Sequence, residues 1–329
     1  MIGRWQAGYG DSFESDKYKK LSTDDYKLYL EPYSIQHYLQ KLLIIQNRKR
    51  TYYFPCYKRE IKNYYKLLSS SFNPECLRYR DNSQLERVSR FIADIGRSGY
   101  DYINSIDKVI ELNKPVLLFY GIEHLSTFYL NLHLNFTEEN SNLSSLSRRK
   151  VRIHGINPFS FYDITSEFNL EDLLNSRLKF GKYGLAPRFF LLLDFPTEYF
   201  FIKHKEISLI DLLQCFFIRT SIGISREIQN RFIDEYKEFF KSSEMTKKMW
   251  RFEDLDLFTF YCLSFLFSHL ARYRMSAWKT ILSQEEKYFG FFIKFIIKTI
   301  QNMFIRRIFS KIHINYDRFI LKIRQLEHI

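Results

Sequence analysis

A helix that is apolar on every side has to be buried, and this chain carries one near its middle. From Lys114 the sequence runs Lys-Pro-Val-Leu-Leu-Phe-Tyr-Gly-Ile-Glu-His-Leu-Ser and stays mostly apolar to about Leu134. Asn113 can cap such a helix and Pro115 fits its first turn. Gly121 in the interior costs about 1 kcal/mol relative to alanine, which a close approach by a neighbouring helix offsets. The few polar side chains, Tyr120, Glu123, His124, Thr127 and Asn131, share one side at helical periodicity. Such a stripe is either a site or a hydrogen-bonded seam between helices, because buried polar groups need partners. A polar loop over 137–147 then leads into Arg148-Arg-Lys-Val-Arg-Ile-His-Gly155. Alternation there predicts a short strand with Lys150, Arg152 and His154 on one face. The stretch therefore predicts a central buried helix and a loop that returns His154 to it.

The rest of the chain reads as helical around this centre. Residues 1–30 are polar and Tyr-rich and predict an N-terminal arm; 31–329 predict a single mostly helical domain. Ile35, Leu39 and Leu42 place one apolar face on a helix from Tyr33 to Leu43, and residues 84–112 predict a further helix or two. Segments 159–168 and 177–183 read as short strands punctuated by Gly181, Gly184 and Pro187. Helical patterns resume over 207–221, 225–240 and 255–273, and a long aromatic helix is predicted from 285 to about 312. The fold class predicted is mainly α, a multi-helix bundle-like body with a small β-hairpin insert near 150–190.

Charge and cysteine usage narrow the function classes. The net charge is +13 with 26% charged and 46% hydrophobic residues. Such a surface attracts RNA or another polyanion, or simply stays solvated. The interleaved basic and aromatic residues at 47–58, among them Arg48 and Arg50, either bind single-stranded nucleic acid or form a loop whose rings pack inward. Lys287, Lys294, Lys298, Arg306 and Arg307 make a loose basic stripe on the last helix, which can lie along RNA or a membrane surface or be an ordinary solvated face. Cys56, Cys76, Cys215 and Cys262 have no zinc or redox spacing, and the last two sit in apolar runs that predict core positions. No metal or cofactor is expected. The absence of a secretory pattern and of a long uncharged apolar run predicts a cytoplasmic protein without a membrane span. There is no Gly-rich phosphate loop, no His-Glu-x-x-His and no nucleophile elbow.

Three separated stretches resemble the YaaC-like family of bacterial proteins: Ile35-Gln-His-Tyr-Leu39; Lys114-Pro-Val-Leu-Leu-Phe-Tyr-Gly121 with His154-Gly155 and Gly184-Leu-Ala-Pro187; and Leu266-Phe-Ser-His-Leu-Ala-Arg-Tyr273 with Trp278. They cover most of the chain in family order, and residues 1–30 and the C-terminal end depart from the pattern. The family's central helix and His-Gly element are similar to those of the HEPN superfamily, which includes RNases of toxin and antiviral systems and inactive RNA-binding or scaffold members. Catalytic HEPN proteins carry an Arg and a His with four to six residues between them near the start of a late helix. Arg149 or Arg148 with His154, and Arg307 or Arg306 with His313, have such spacings here. The first set falls in a loop or strand and the second far along the last helix, so neither matches that placement.

The resemblance implies a noncatalytic RNA- or partner-binding module, in a setting of bacterial stress or antiviral defence, with Arg148, Lys150, Arg48 and Arg50 as candidate nucleic-acid contacts. A protein partner or a homodimer is open. An alternative is a metal-independent ribonuclease with His154 as base, Arg149 or Arg152 on phosphate, and Glu123 or Tyr120 orienting the histidine. A third reading is a scaffold subunit.

Overall fold

The apolar helix forms from Lys114 to Leu134, and among the described residues four long or central helices pack against it. The computed structural model describes residues 30–31, 35, 82–134, 154–158, 170–181, 184–193, 206–219, 226–238, 252, 254–283 and 289–327. In chain order the elements are α1 (Asn82–Asn104), α2 (Lys114–Leu134), β1 (Ile156–Asn157), α3 (Leu170–Asn175), β2 (Arg177–Phe180), α4 (Leu185–Leu192), β3 (Glu206–Ser208), α5 (Leu209–Arg219), α6 (Arg226–Tyr236), α7 (Leu255–Tyr273), α8 (Met275–Ser283) and α9 (Phe289–Glu327). The protein is mainly α with a small antiparallel sheet, as the sequence predicts. No described helix is long and apolar enough to cross a membrane.

Glycine sets the closest helix crossing. A Cβ on Gly121 would meet the Ile103 side chain and stand 3.0 Å from the Gly99 carbonyl oxygen. A Cβ on Gly99 would in turn lie 2.9 Å from the Leu125 nitrogen. The propensity lost at Gly121 thus lets α1 and α2 touch backbone to backbone. On its other sides α2 packs against α7, α4 and α9. Phe119 meets Tyr261 and Phe265 of α7 edge-on at 5.8 and 5.3 Å, and Phe128 lies 6.1 Å from Phe309 of α9. Ile35 closes a helical turn on Glu31 and is buried with Leu30; the remainder of the helix predicted over Tyr33–Leu43 and the 1–29 arm lie outside the described residues.

The sheet has the order β1-β2-β3, with Ile156 opposite Phe180 and Leu178 opposite Ile207. Leu178 and Phe180 point inward, Phe180 onto Phe190 and Phe258. The predicted hairpin is present as β1–β2, and β2 ends at Phe180, short of the predicted Tyr183. A third strand takes the first residues of what reads as a helix from Ile207. Ser208 ends that strand by capping α5: its hydroxyl accepts from the Asp211 N–H at 3.2 Å and donates to the Asp211 carboxylate at 2.6 Å. Gly184-Leu-Ala-Pro187 opens α4, with Pro187 in its first turn, where no intrahelical N–H is needed. The strand predicted over 159–168 lies outside the described residues.

Helix α9 runs past the predicted end at Ile312 to Glu327. It joins the body by charge as well as by its apolar face. Lys298 pairs with Asp107 at 2.8 Å, which holds that carboxyl below its usual range, and Gln301 donates to the same carboxylate. At the start of α7, Asp256 pairs with Arg307, and Asp254 pairs with Lys311 at 2.5 Å. Asp254 is almost fully buried, and burial raises its carboxyl above the usual range against the pull of Lys311. Two carboxylates at a helix N-terminus thus meet two cations one turn apart on α9. Of the basic stripe expected on the last helix, Lys294, Lys298 and Arg306 are exposed, Lys298 in a surface pair with Asp107, while Arg307 turns onto Asp256; Lys287 lies outside the described residues. Cys215 and Cys262 are buried thiols outside any disulfide, in core positions as their apolar surroundings predict.

Candidate polar site at the crossing of α2 and α7

The backbone around His154 and Gly155 is built to fix one side chain. Gly155 has φ 72°, in the left-handed region that glycine takes without strain. Its carbonyl accepts from the Gly181 N–H at 2.8 Å, and the His154 carbonyl accepts from the Ala186 N–H at 3.0 Å. The second bond satisfies an N–H in the first turn of α4, so the His-Gly and Gly-Leu-Ala-Pro segments, distant in sequence, close on each other. The His154 ring then stands against α2 and α7, with Phe119 at 5.2 Å and Phe265 at 5.5 Å. Its Nδ1 is buried and lies 3.2 Å from Glu123 Oε1, at ion-pair distance without the alignment of a hydrogen bond. Of its side-chain surface 27% is exposed, against 17% for Glu123. The dyad is thus walled by aromatic rings and open at one edge.

One turn towards the start of α2, Tyr120 faces the end of α7. Arg272 donates from Nη1 to the Tyr120 hydroxyl at 3.3 Å and from Nε to the Ser268 carbonyl at 3.3 Å. Its guanidinium carbon lies 5.6 Å from the Tyr120 ring centre and 5.2 Å from that of Tyr273. Rings on two sides orient the cation while leaving charge to offer. Tyr102 of α1 completes the edge, 6.1 Å from Tyr120 and edge-on to His124 at 5.4 Å.

The polar stripe of α2 therefore divides. Tyr120 and Glu123 reach groups on other elements. Thr127 and Asn131 bond back along their own helix, to the Glu123 carbonyl at 2.8 Å and the Thr127 carbonyl at 2.9 Å. The first half of the stripe thus faces other elements, and the second bonds back along its own helix instead of across to a neighbour, with Asn131 Oδ1 buried and without a hydrogen bond.

His269, one turn before Arg272, is buried, with its ring tilted against that of Tyr273 at 4.9 Å. Burial first, then Arg272 and Arg274, push its pKa from 6.5 down to about 4. Between those values the unfolded chain binds a proton that the folded chain refuses. The stability His269 contributes is therefore complete above pH 6.5 and is lost as pH falls towards 4. Thermal unfolding across that window is expected to show a steeper acid decline for the parent than for His269→Gln.

Of the residues singled out in the sequence, Glu123 and His154 are brought together, and Tyr120 stands one turn away. Arg148, Arg149, Lys150, Arg152, Arg48 and Arg50 lie outside the described residues. Arg307, paired in sequence spacing with His313, is instead an ion-pair partner of Asp256. Arg272 was not singled out as a site residue. The available signal was a lone arginine at the end of a helix apolar along most of its length. Among the described residues no group of three or more His, Cys, Asp or Glu is placed to hold a metal. Chemically, the dyad can hold and pass a proton, and Arg272 can hold an anion beside it. Comparison with protein-family models, with curated proteins and with solved structures returns no match.

Proposed function

We propose that this chain is a YaaC-like, HEPN-related helical module of the cytoplasm that binds RNA without cleaving it, in bacterial stress or antiviral defence. The observation that carries the reading is the Arg272 guanidinium, fixed between the Tyr120 and Tyr273 rings on a chain of net charge +13. An oriented, partly exposed cation on a basic protein suits a phosphate of a polyanion. A bound phosphate gains a fixed donor without the entropy of ordering a free arginine.

The affinity of the full chain for a fluorescein-labelled RNA, measured as anisotropy over a salt series, tests this. The parent is expected to lose affinity log-linearly with salt, and Arg272→Gln to bind more weakly with a slope smaller by about one phosphate contact. An unchanged slope in Arg272→Gln would remove Arg272 from the contact.

A second reading, a metal-independent ribonuclease, is favoured by one observation: Glu123 stands 3.2 Å from His154 Nδ1. A carboxylate there orients the imidazole so that its outer edge can take a proton. This reading needs a cation on the scissile phosphate, the role assigned to Arg149 or Arg152.

A further inference from the structure

We infer that Tyr102, Tyr120, Arg272 and Tyr273 form a platform on which unpaired bases stack, so that the ligand is single-stranded RNA held through its bases as well as its phosphates. The inference rests on the RNA-binding reading and names the form of RNA that the site takes. The four groups succeed one another in contact: Tyr102 on Tyr120 at 6.1 Å, Arg272 on Tyr120 at 5.6 Å, and Arg272 on Tyr273 at 5.2 Å. The two end members are open, Tyr102 at 37% and Tyr273 at 62% of their surface. Tyr273 is the most exposed aromatic ring among the described residues, and the Arg272 cation lies against it. Here α1, α2 and α7 hold the four groups at one edge. The backbone at that edge is fixed: Tyr120 lies within the helix locked by the Gly99–Gly121 contact, and the Arg274 N–H closes on the Leu270 carbonyl at 2.9 Å just after Tyr273.

Every base has a π-face, so such a platform stacks bases with little sequence preference, and a cation between the rings takes the phosphate that follows each base. Double-stranded RNA keeps its bases stacked inside the helix and cannot use it. A pure phosphate site would need no exposed rings, and a polar protein partner would leave the exposed parts of the Tyr102 and Tyr273 rings without matching surface. Glu123 lies one turn further along α2 than Tyr120, with His154 held against it from the turn before β1.

The test uses the full chain and two labelled strands with the same number of phosphates: oligoadenylate, and a strand whose sugars carry no bases. Anisotropy titration of the parent is expected to give about tenfold or greater preference for the base-bearing strand, the effect of at least one base–aromatic stack. Tyr273→Ala is expected to lose most of that preference, and Tyr273→Phe, which keeps the ring, to retain it. Lys294→Gln, which removes an exposed charge and no ring, should leave the preference unchanged whether or not it lowers affinity for both strands. Equal binding of the two strands by the parent would overturn the platform while leaving phosphate contact standing. The same preference in Tyr273→Ala as in the parent would also overturn it. Binding of neither strand would overturn the RNA reading and the platform with it.

Discussion

Arg307→Met is expected to destabilise the fold by about 3–5 kcal/mol, because it leaves the Asp256 carboxylate buried without its cation. Arg307 retains 18% and Asp256 9% of side-chain exposure, so water cannot easily replace the lost partner. The effect is a property of the broken pair and not of the pair's net worth. Removing both charges, in Arg307→Met with Asp256→Asn, should recover much of the loss, since two well-packed neutral side chains cost little where two paired ions stood. Urea denaturation followed by far-UV circular dichroism, run on the parent, both single variants and the double variant, closes the cycle. Additive losses in the double variant would mean that the two residues act independently. The neighbouring Asp254–Lys311 pair bears on the same helix start, and the raised pKa of Asp254 shows that burial outweighs its cation there.

Phe119→Ala is expected to cost a similar amount, about 3–5 kcal/mol, through lost transfer energy and the cavity left behind. Phe119 is fully buried and is the hinge of the aromatic cluster, touching Tyr261, Phe265 and the His154 ring. The same substitution removes one wall of the dyad. Phe119→Leu should keep most of the stability and so separates the two consequences. If Phe119→Leu is stable yet weakens RNA binding, the ring serves the site; if binding follows stability alone, it serves the core.

The sequence placed α2 and α7 at their observed bounds for the same reason in both cases. Long apolar stretches between clear stops, Pro115 at one start and Arg272 near one end, can be little else than buried helix. The third strand was not readable. Its residues Glu206-Ile-Ser208 precede an apolar helix without a break, and the Ser208/Asp211 cap that divides them is a short-range signal inside a strong periodic one. The partners of the basic stripe on the last helix were not readable, because its acidic partners are far away in the chain, 191 positions for Lys298 and 51 for Arg307. Local pattern cannot see such pairs. The approach of His154 to Glu123 was readable, because a polar group on an apolar helix needs a partner and a His-Gly turn can deliver one. Arg272 was not, since a cation in the last turn of a helix already has a sufficient reason in the helix dipole. Only the rings of Tyr120 and Tyr273, brought to it by the crossing of α2 and α7, give it a second one.

The central claim is that the site holds RNA and does not cut it. The direct measurement is incubation of the full chain and of His154→Ala with labelled single-stranded RNA in EDTA, following retention and cleavage together. The account predicts retention by the parent with the strand intact, and retention by His154→Ala as well. Cleavage by the parent that disappears in His154→Ala would contradict it and make the Glu123–His154 dyad the centre of a metal-independent nuclease.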